Sequence, residues 1–224
     1  MTIPEIIAHR GASRERPENT LPAFLRAVEL GADAVELDVH RTADGVVVVH
    51  HDPTLPGLGP IRSLTRDQLA EHRIQGEPIP TLDEVFSALR GRLRVYVELK
   101  GSDVAAGALE CIARHTEGHG AAVHCFDHRL VAEARRLAPM VARGVLEVSY
   151  PVDPTGAARD VDARDLWRQR DFVDESFIKA AHAEGRRVVA WTVNDAELMR
   201  RMAGWGIDAI CTDDVALARI ALGA

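Results

Sequence analysis

The sequence predicts an α/β fold, with parallel strands covered by helices. Three observations predict it. Short apolar runs alternate with longer amphipathic ones along the whole chain. The amphipathic segments carry helix start and stop signals. The strand-like runs end in polar side chains. At 224 residues, the chain suits one domain and can form a single α/β barrel.

Taken in order, the strand runs are Ile6–His9, Ala34–Val39, Leu93–Leu99, Ala121–Cys125, Arg143–Val148, Arg187–Thr192 and Ala209–Thr212, with a further extended run at Val46–His50. A strand is also needed between Pro151 and Asp171; that stretch is polar and charged, and the strand is placed at Ala163–Arg168. Leu21, Phe24, Leu25 and Val28 make a helical stripe that Gly31 stops. Thr81 and Glu84 form a capping box ahead of Val85 and Leu89. Phe177, Ile178 and Ala181 lead to Gly185, and Asn194 with Glu197 is read as the cap of Leu198–Met202. Leu30–Asp38 (LGADAVELD) and Trp205–Asp213 (WGIDAICTD) form a near-repeat: helix end, glycine, Asp-Ala, then a buried strand ending in an acid. Residues 53–80, rich in proline and glycine, read as a loop or small cap above the sheet.

The chain is 46% hydrophobic and 27% charged, as a globular protein is, and its net charge of -7 provides no basic stripe for nucleic acid. No apolar run reaches the length of a membrane span. The N-terminus MTIPEIIAHRG has no basic segment followed by a long apolar run. Cys111, Cys125 and Cys211 are far apart and odd in number, which fits a reducing, cytoplasmic compartment.

The run AVELDV places Glu36 and Asp38 on one face of a largely buried strand, about 7 Å apart. Like charges there repel each other and lose hydration. With Glu98 of the strand VYVELK they can converge on one hard divalent cation, Mg²⁺ or Ca²⁺, which turns repulsion into shared attraction. Glu98 can also pair with Lys100, and the two roles are compatible. His9 and His51 each follow an apolar run and precede a turn, the positions expected of proton carriers at a strand end. In VVVVHHDP, alternation sends His50 and His51 to opposite sides, and His51 is assigned to the pocket. His40, His72, His115, His119, His128 and His182 receive no role. Arg10 and Lys100 are candidate phosphate contacts. Trp191 is either a core residue or a wall against the non-reacting part of a ligand.

The segments AHRGASRERPENTLPAF, GADAVELDVHRTADGVVVVHHDPTL, IPTLDEV, VELK and WTVNDAELMRRMAGWGIDAICTD occur in this order. Together they resemble the glycerophosphodiester phosphodiesterase family over nearly the whole chain. The resemblance implies one (β/α)₈ barrel over residues 1–224 that hydrolyses glycerophosphodiesters to sn-glycerol 3-phosphate and an alcohol. It gives His9 and His51 the acid/base pair, and Glu36, Asp38 and Glu98 the metal. It puts Arg10 and Lys100 at the phosphate and Trp191 beside the glycerol moiety. Glu18 of PENT falls at an acidic position that holds Arg10 or His9. The nucleophile is either the neighbouring glycerol hydroxyl, through a cyclic phosphate, or water.

Two segments depart from the family pattern. HDPTL is followed by PGLGPIRSL rather than an Arg-Thr-Thr segment, with Arg62 and Ser63 the nearest substitutes. The fourth-strand motif reads HCFD, which brings His124 and Cys125 near the pocket. No strongly apolar rim is evident, which favours deacylated, water-soluble diesters over lysophospholipids. A metal-dependent barrel lyase and a non-catalytic phosphate-binding barrel are the rivals from other classes.

Overall fold

The computed structural model describes residues 3–116 and 120–224, so His119 lies outside the described residues. The chain runs β1 (Glu5–His9), α1 (Leu21–Glu29), β2 (Ala34–Arg41) and β3 (Val47–Val49). Two small hairpins follow, β4 (Thr54–Leu55) with β5 (Gly59–Pro60) and β6 (Arg73–Ile74) with β7 (Glu77–Pro78), separated by the short helix α2 (Arg66–Leu69). Alternation then resumes: α3 (Leu82–Leu89), β8 (Arg94–Leu99), α4 (Ala105–Thr116), β9 (Ala121–Cys125), α5 (His128–Leu137) and β10 (Ala142–Glu147). It ends with α6 (Gly156–Asp160), β11 (Asp165–Gln169), α7 (Glu175–Ala183), β12 (Arg187–Trp191), α8 (Ala196–Gly204), β13 (Ala209–Thr212) and α9 (Val215–Leu222).

Eight strands pair in parallel in the order β1, β13, β12, β11, β10, β9, β8, β2, and β2 pairs back to β1, closing the barrel. The expected (β/α)₈ architecture is therefore present. The run at Val46–His50 is not a barrel strand. It contributes β3, antiparallel to β2 with Val39 opposite Val49 and Arg41 opposite Val47. That pairing extends β2 two residues beyond its apolar stretch. The sixth barrel strand starts at Asp165, two residues later than expected, and pairs Leu166 with Val188.

Alternation along the strands sorts the side chains. Val35, Leu37 and Val39 face outward into the cluster shared with the helices, which includes Phe24 of α1, Val85 of α3 and Leu109 of α4. Each such fully buried side chain contributes about 1.5–3 kcal/mol, so this outer layer holds the fold. Inside, Ile7, Ala34, Tyr96, Leu146, Trp167 and Val189 pack into a smaller cluster. At the N-terminal end of the strands a polar network replaces them. Glu5 takes Arg187 Nη2 at 2.5 Å, Tyr96 Oη at 3.0 Å and Arg94 Nη1 at 3.2 Å, while buried Asp165 lies 3.3 Å from Arg187 Nη1. The polar positions at the other end of the same strands are left free for a site.

The helix caps follow the sequence with one correction. Thr81 and Glu84 make the expected reciprocal capping box. For α8, the cap is Asp195, whose carboxylate accepts from Leu198 N. Asn194 is instead drawn to the end of β13: its Nδ2 donates to Asp213 Oδ2 at 2.6 Å and its Oδ1 accepts from Asp213 N at 2.9 Å.

Candidate active site

At the C-terminal mouth of the barrel a cavity of about 230 Å³ is lined by His9, Arg10, Glu36, His51, Glu98, Lys100 and Trp191. Of the predicted site residues, Asp38 lies buried behind that surface, and Glu18, partly exposed, borders a separate depression beside it. A larger open depression, about 720 Å³ around Glu5, Asp33 and Arg187 at the opposite end, holds none of them.

His9 ends β1 opposite Glu36 of β2. Arg10 and Gly11 then turn the chain sharply, both at positive φ, +56° and +83°. A Cβ at position 11 would sit 2.7 Å from the Ala23 carbonyl carbon, so α1 can approach only a glycine. The turn brings Arg10 back over the strands: its N donates to Glu36 Oε2 at 3.2 Å, its Nη1 to Glu18 at 2.9 Å, and its Nε lies 3.1 Å from Asp38 Oδ2. Glu18 thus braces Arg10, not His9. Asn19, at φ +58°, donates to Asp38 Oδ2 at 2.9 Å.

The two histidines are held alike. His9 Nδ1 meets Asp213 Oδ1 at 2.7 Å, and His51 Nδ1 meets Asp52 Oδ1 at 2.8 Å. A carboxylate on Nδ1 fixes the tautomer, so Nε2 is the nitrogen each ring offers the cavity. For His9, Nε2 lies 4.0 Å from Glu36 Oε2. Burial draws the His9 pKa down, but the Asp213 hydrogen bond and the Glu36 charge outweigh it and leave it raised. Asp213 resists its own burial and falls to about 2, because His9, Asn194 and Ser13 all reach its oxygens. His40, set aside from sequence, shares the parity of Glu36 and Asp38; its Nε2–H donates to the His51 carbonyl at 3.0 Å, bracing the second histidine.

Asp213 was not read from sequence as a site residue, being 204 residues from His9. The available signal was the near-repeat, which ends both β2 and β13 in an acid. Asp213→Asn removes a cause that raises the His9 pKa, so the His9 limb of the histidine titration followed by NMR is expected to move to lower pH. An unmoved limb in a folded variant contradicts this link.

The carboxylates do not form a simple triad. Burial opposes ionisation of Asp38, yet Arg10 and then Lys100 hold its pKa below the ordinary range. Lys100 Nζ lies 3.2 Å from Asp38 Oδ1 and 2.6 Å from Glu98 Oε1, the pairing expected from sequence. Burial, then the Asp38 charge, push Glu98 upward. Glu36 Oε1 and Glu98 Oε2 receive no hydrogen bond among the described residues. Glu36, Glu98 and His124 bring one ligand atom each within 4.8 Å of one another, and all three are buried. Glu36 and Glu98 line the cavity, and Asp38 Oδ1 behind them is a buried carboxylate oxygen with no hydrogen-bond partner among the described residues; such oxygens suit a divalent cation.

His124 stacks flat on Trp167, with centroids 4.1 Å apart and planes at 1°. Gly144 of β10 makes room for the pair: a Cβ there would lie 2.7 Å from Trp167 Cδ1 and 3.2 Å from His124 Cβ. Gly144→Ala is therefore expected to destabilise the fold by about 1–3 kcal/mol, as overpacking does. Urea unfolding checks this; an unchanged midpoint contradicts the fit. Trp191 meets Phe126 edge to face at 5.6 Å across the mouth. Phe126 is 44% exposed, and Val148 and Tyr150, just after β10, are 51% and 56% exposed. The rim is thus more apolar than the sequence suggested, because these side chains are scattered across separate strand ends.

Residues 9–217 match the glycerophosphoryl diester phosphodiesterase family. The chain belongs to this family. It is 33% identical to the glycerophosphodiester phosphodiesterase of Caldanaerobacter subterraneus subsp. tengcongensis, with 93% of each chain covered. Among solved structures, an Oleispira antarctica phosphodiesterase in complex with the product sn-glycerol-3-phosphate superposes with a TM-score of 0.92 at 27% identity, covering 99% of this chain and 98% of that one. A Silicibacter pomeroyi protein described as a glycerophosphoryl diester phosphodiesterase gives 0.89 at 26% identity, covering 99% and 93%. Family membership makes the chain an enzyme of the glycerophosphodiester phosphodiesterase class. No helix among the described residues is long and apolar enough to cross a membrane.

Proposed function

We propose that this chain hydrolyses glycerophosphodiesters to sn-glycerol 3-phosphate and an alcohol, using His9 and His51 as the acid/base pair and one divalent cation. One observation carries the reading: two imidazoles line a single cavity, each with Nδ1 on a carboxylate and Nε2 free, beside buried acids and two cationic side chains. One histidine removes the proton of the attacking oxygen, and the other protonates the leaving alkoxide. Arg10 and Lys100 bind the phosphoryl oxygens and offset their growing charge. Asp213 and Asp52 keep the imidazoles in the useful tautomer. Glu36 and Glu98, with Asp38 behind them, would hold the cation, Mg²⁺ or Ca²⁺ by the chemistry of their oxygens. When bound, the cation supplies positive charge for the phosphoryl group. Trp191 and Phe126 shape the wall for the organic part of the substrate. Three free, buried cysteines support a reducing compartment such as the cytoplasm.

The test is a metal-supplemented assay on glycerophosphocholine, glycerophosphoethanolamine, glycerophosphoinositol and lysophosphatidylcholine, with glycerol 3-phosphate detected for the three deacylated diesters and choline for the lysophospholipid, whose phosphate product keeps its acyl chain. Release from the deacylated diesters is expected. Turnover confined to the lysophospholipid would overturn the substrate assignment, and no release from any of the four would overturn the reaction.

A further inference from the structure

We infer that His124 is a protein ligand of the cation, and that its nitrogen makes the site prefer a transition-metal ion, Mn²⁺ or Co²⁺, over Mg²⁺ and Ca²⁺. The inference rests on the cation proposed above and goes further by fixing the donor set.

His124 is 1% exposed, yet neither ring nitrogen makes a hydrogen bond among the described residues. Nδ1 has no partner, and Nε2 stops 3.7 Å short of Glu36 Oε1. Nδ1 is the buried nitrogen left unpaired, while Nε2, the nitrogen turned towards Glu36, is the one a partner bound among the carboxylates would reach. Water or an ion can fill that role, but the facing groups are acceptors: Glu36 and Glu98 each place an oxygen within 4.8 Å of the ring nitrogen. Two carboxylates and an imidazole around one point suit a cation.

The ring cannot turn away. Trp167 stacks beneath it, Tyr96 meets it edge-on at 6.5 Å, and the register sets it between Glu98 of β8 and Gly144 of β10. Asp38, the third carboxylate, is engaged through Oδ2, while its buried Oδ1 accepts no hydrogen bond among the described residues. Arg10 and Asn19 take its Oδ2, and Lys100 Nζ lies 3.2 Å from its Oδ1. Asp38 thus anchors the two cationic side chains and keeps Oδ1 available, so His124 adds a nitrogen to the carboxylate oxygens rather than replacing one.

An imidazole nitrogen changes selectivity. Mg²⁺ and Ca²⁺ favour oxygen donors throughout, whereas affinity for a nitrogen-containing site rises from Mn²⁺ towards Co²⁺ and beyond. The other cluster of ligand types, Asp83, Cys111 and His115, is different in kind: Arg114 grips both oxygens of Asp83 at 2.9 and 2.7 Å, so that group is already paired.

The experiment titrates the full chain with Mn²⁺ and with Mg²⁺ by calorimetry, for wild type, His124→Gln and His124→Phe, and records pulsed EPR of the Mn²⁺ complex. The wild type should bind Mn²⁺ at least about tenfold tighter than Mg²⁺ and show coupling to a directly bound ¹⁴N. In His124→Gln the coupling should vanish and the Mn²⁺ preference should shrink about tenfold or more. His124→Phe keeps the stack and removes the donor, so the same loss is expected there. Mn²⁺ bound to wild type without nitrogen coupling, or an unchanged Mn²⁺/Mg²⁺ ratio in both variants, overturns the His124 assignment while leaving the cation in place. Failure of the wild type to bind either ion overturns both. The EPR result on wild type stands even where a variant does not fold.

Discussion

His9→Ala is expected to lower kcat by at least about 10²-fold, and up to about 10⁴-fold, the range of general acid–base catalysis, while the barrel stays folded. The fold should survive because His9 closes β1 rather than filling the core. The strand's apolar side chains, Ile6, Ile7 and Ala8, are fully buried without it. Catalysis should not survive, because among the described residues the imidazole that meets Asp213 and turns Nε2 towards Glu36 Oε2 is that of His9. His51→Ala should behave similarly, and the double variant should cost little more than either single one if the two act as a unit. Steady-state kinetics with circular dichroism as the fold control decides it. A folded His9→Ala enzyme retaining a third of wild-type turnover removes this residue from the reaction.

The second large effect concerns Glu36→Gln, and it has two signs. With metal, the variant should lose cation affinity by at least about 10–100-fold, the loss seen when even the supports of ligands are removed. Activity should fall with it and recover partly in excess Mg²⁺ or Ca²⁺. Without metal, the variant should unfold at a higher temperature than wild type. Glu36 is a buried carboxylate whose one hydrogen bond among the described residues is from the Arg10 backbone, and it adds to the repulsion felt by Glu98. Melting curves with EDTA and with excess cation separate the two regimes. In wild type the metal-induced rise in Tm should be large, since ligand binding to the native state stabilises it by mass action; in Glu36→Gln the gap should narrow from both sides. Equal shifts in the two proteins would remove Glu36 from the metal site.

What the sequence made legible was whatever follows from alternation within one segment. The outward Val35, Leu37 and Val39 and the inward Glu36 and Asp38 depend on parity alone, while the choice of His51 over His50 adds to parity the Asp52-Pro53 turn that His51 leads into. Partnerships across the barrel were harder. Asp213 finds His9 only because closure brings β13 beside β1, and Asn19 reaches Asp38 only because the PENT turn folds over the strand ends. Asn194 read as a helix cap because caps and strand-end turns use the same residue types; its contact with Asp213 is set by tertiary structure. The stretch Pro151–Asp171 concealed its strand because Arg168 is charged but fully buried, with Glu147 at 2.7 Å and the Phe177 ring 4.4 Å away. Composition counts such a residue as surface.

The ion network of Glu5, Arg94, Asp165 and Arg187, topped by Tyr96 and Trp167, seals the lower end of the barrel. The reaction chamber is consequently a cul-de-sac with one doorway. Incoming diester and both departing fragments share it, so a fragment lingering on Arg10 and Lys100 obstructs the next molecule. Accumulating sn-glycerol 3-phosphate should therefore act as a competitive brake on its own formation.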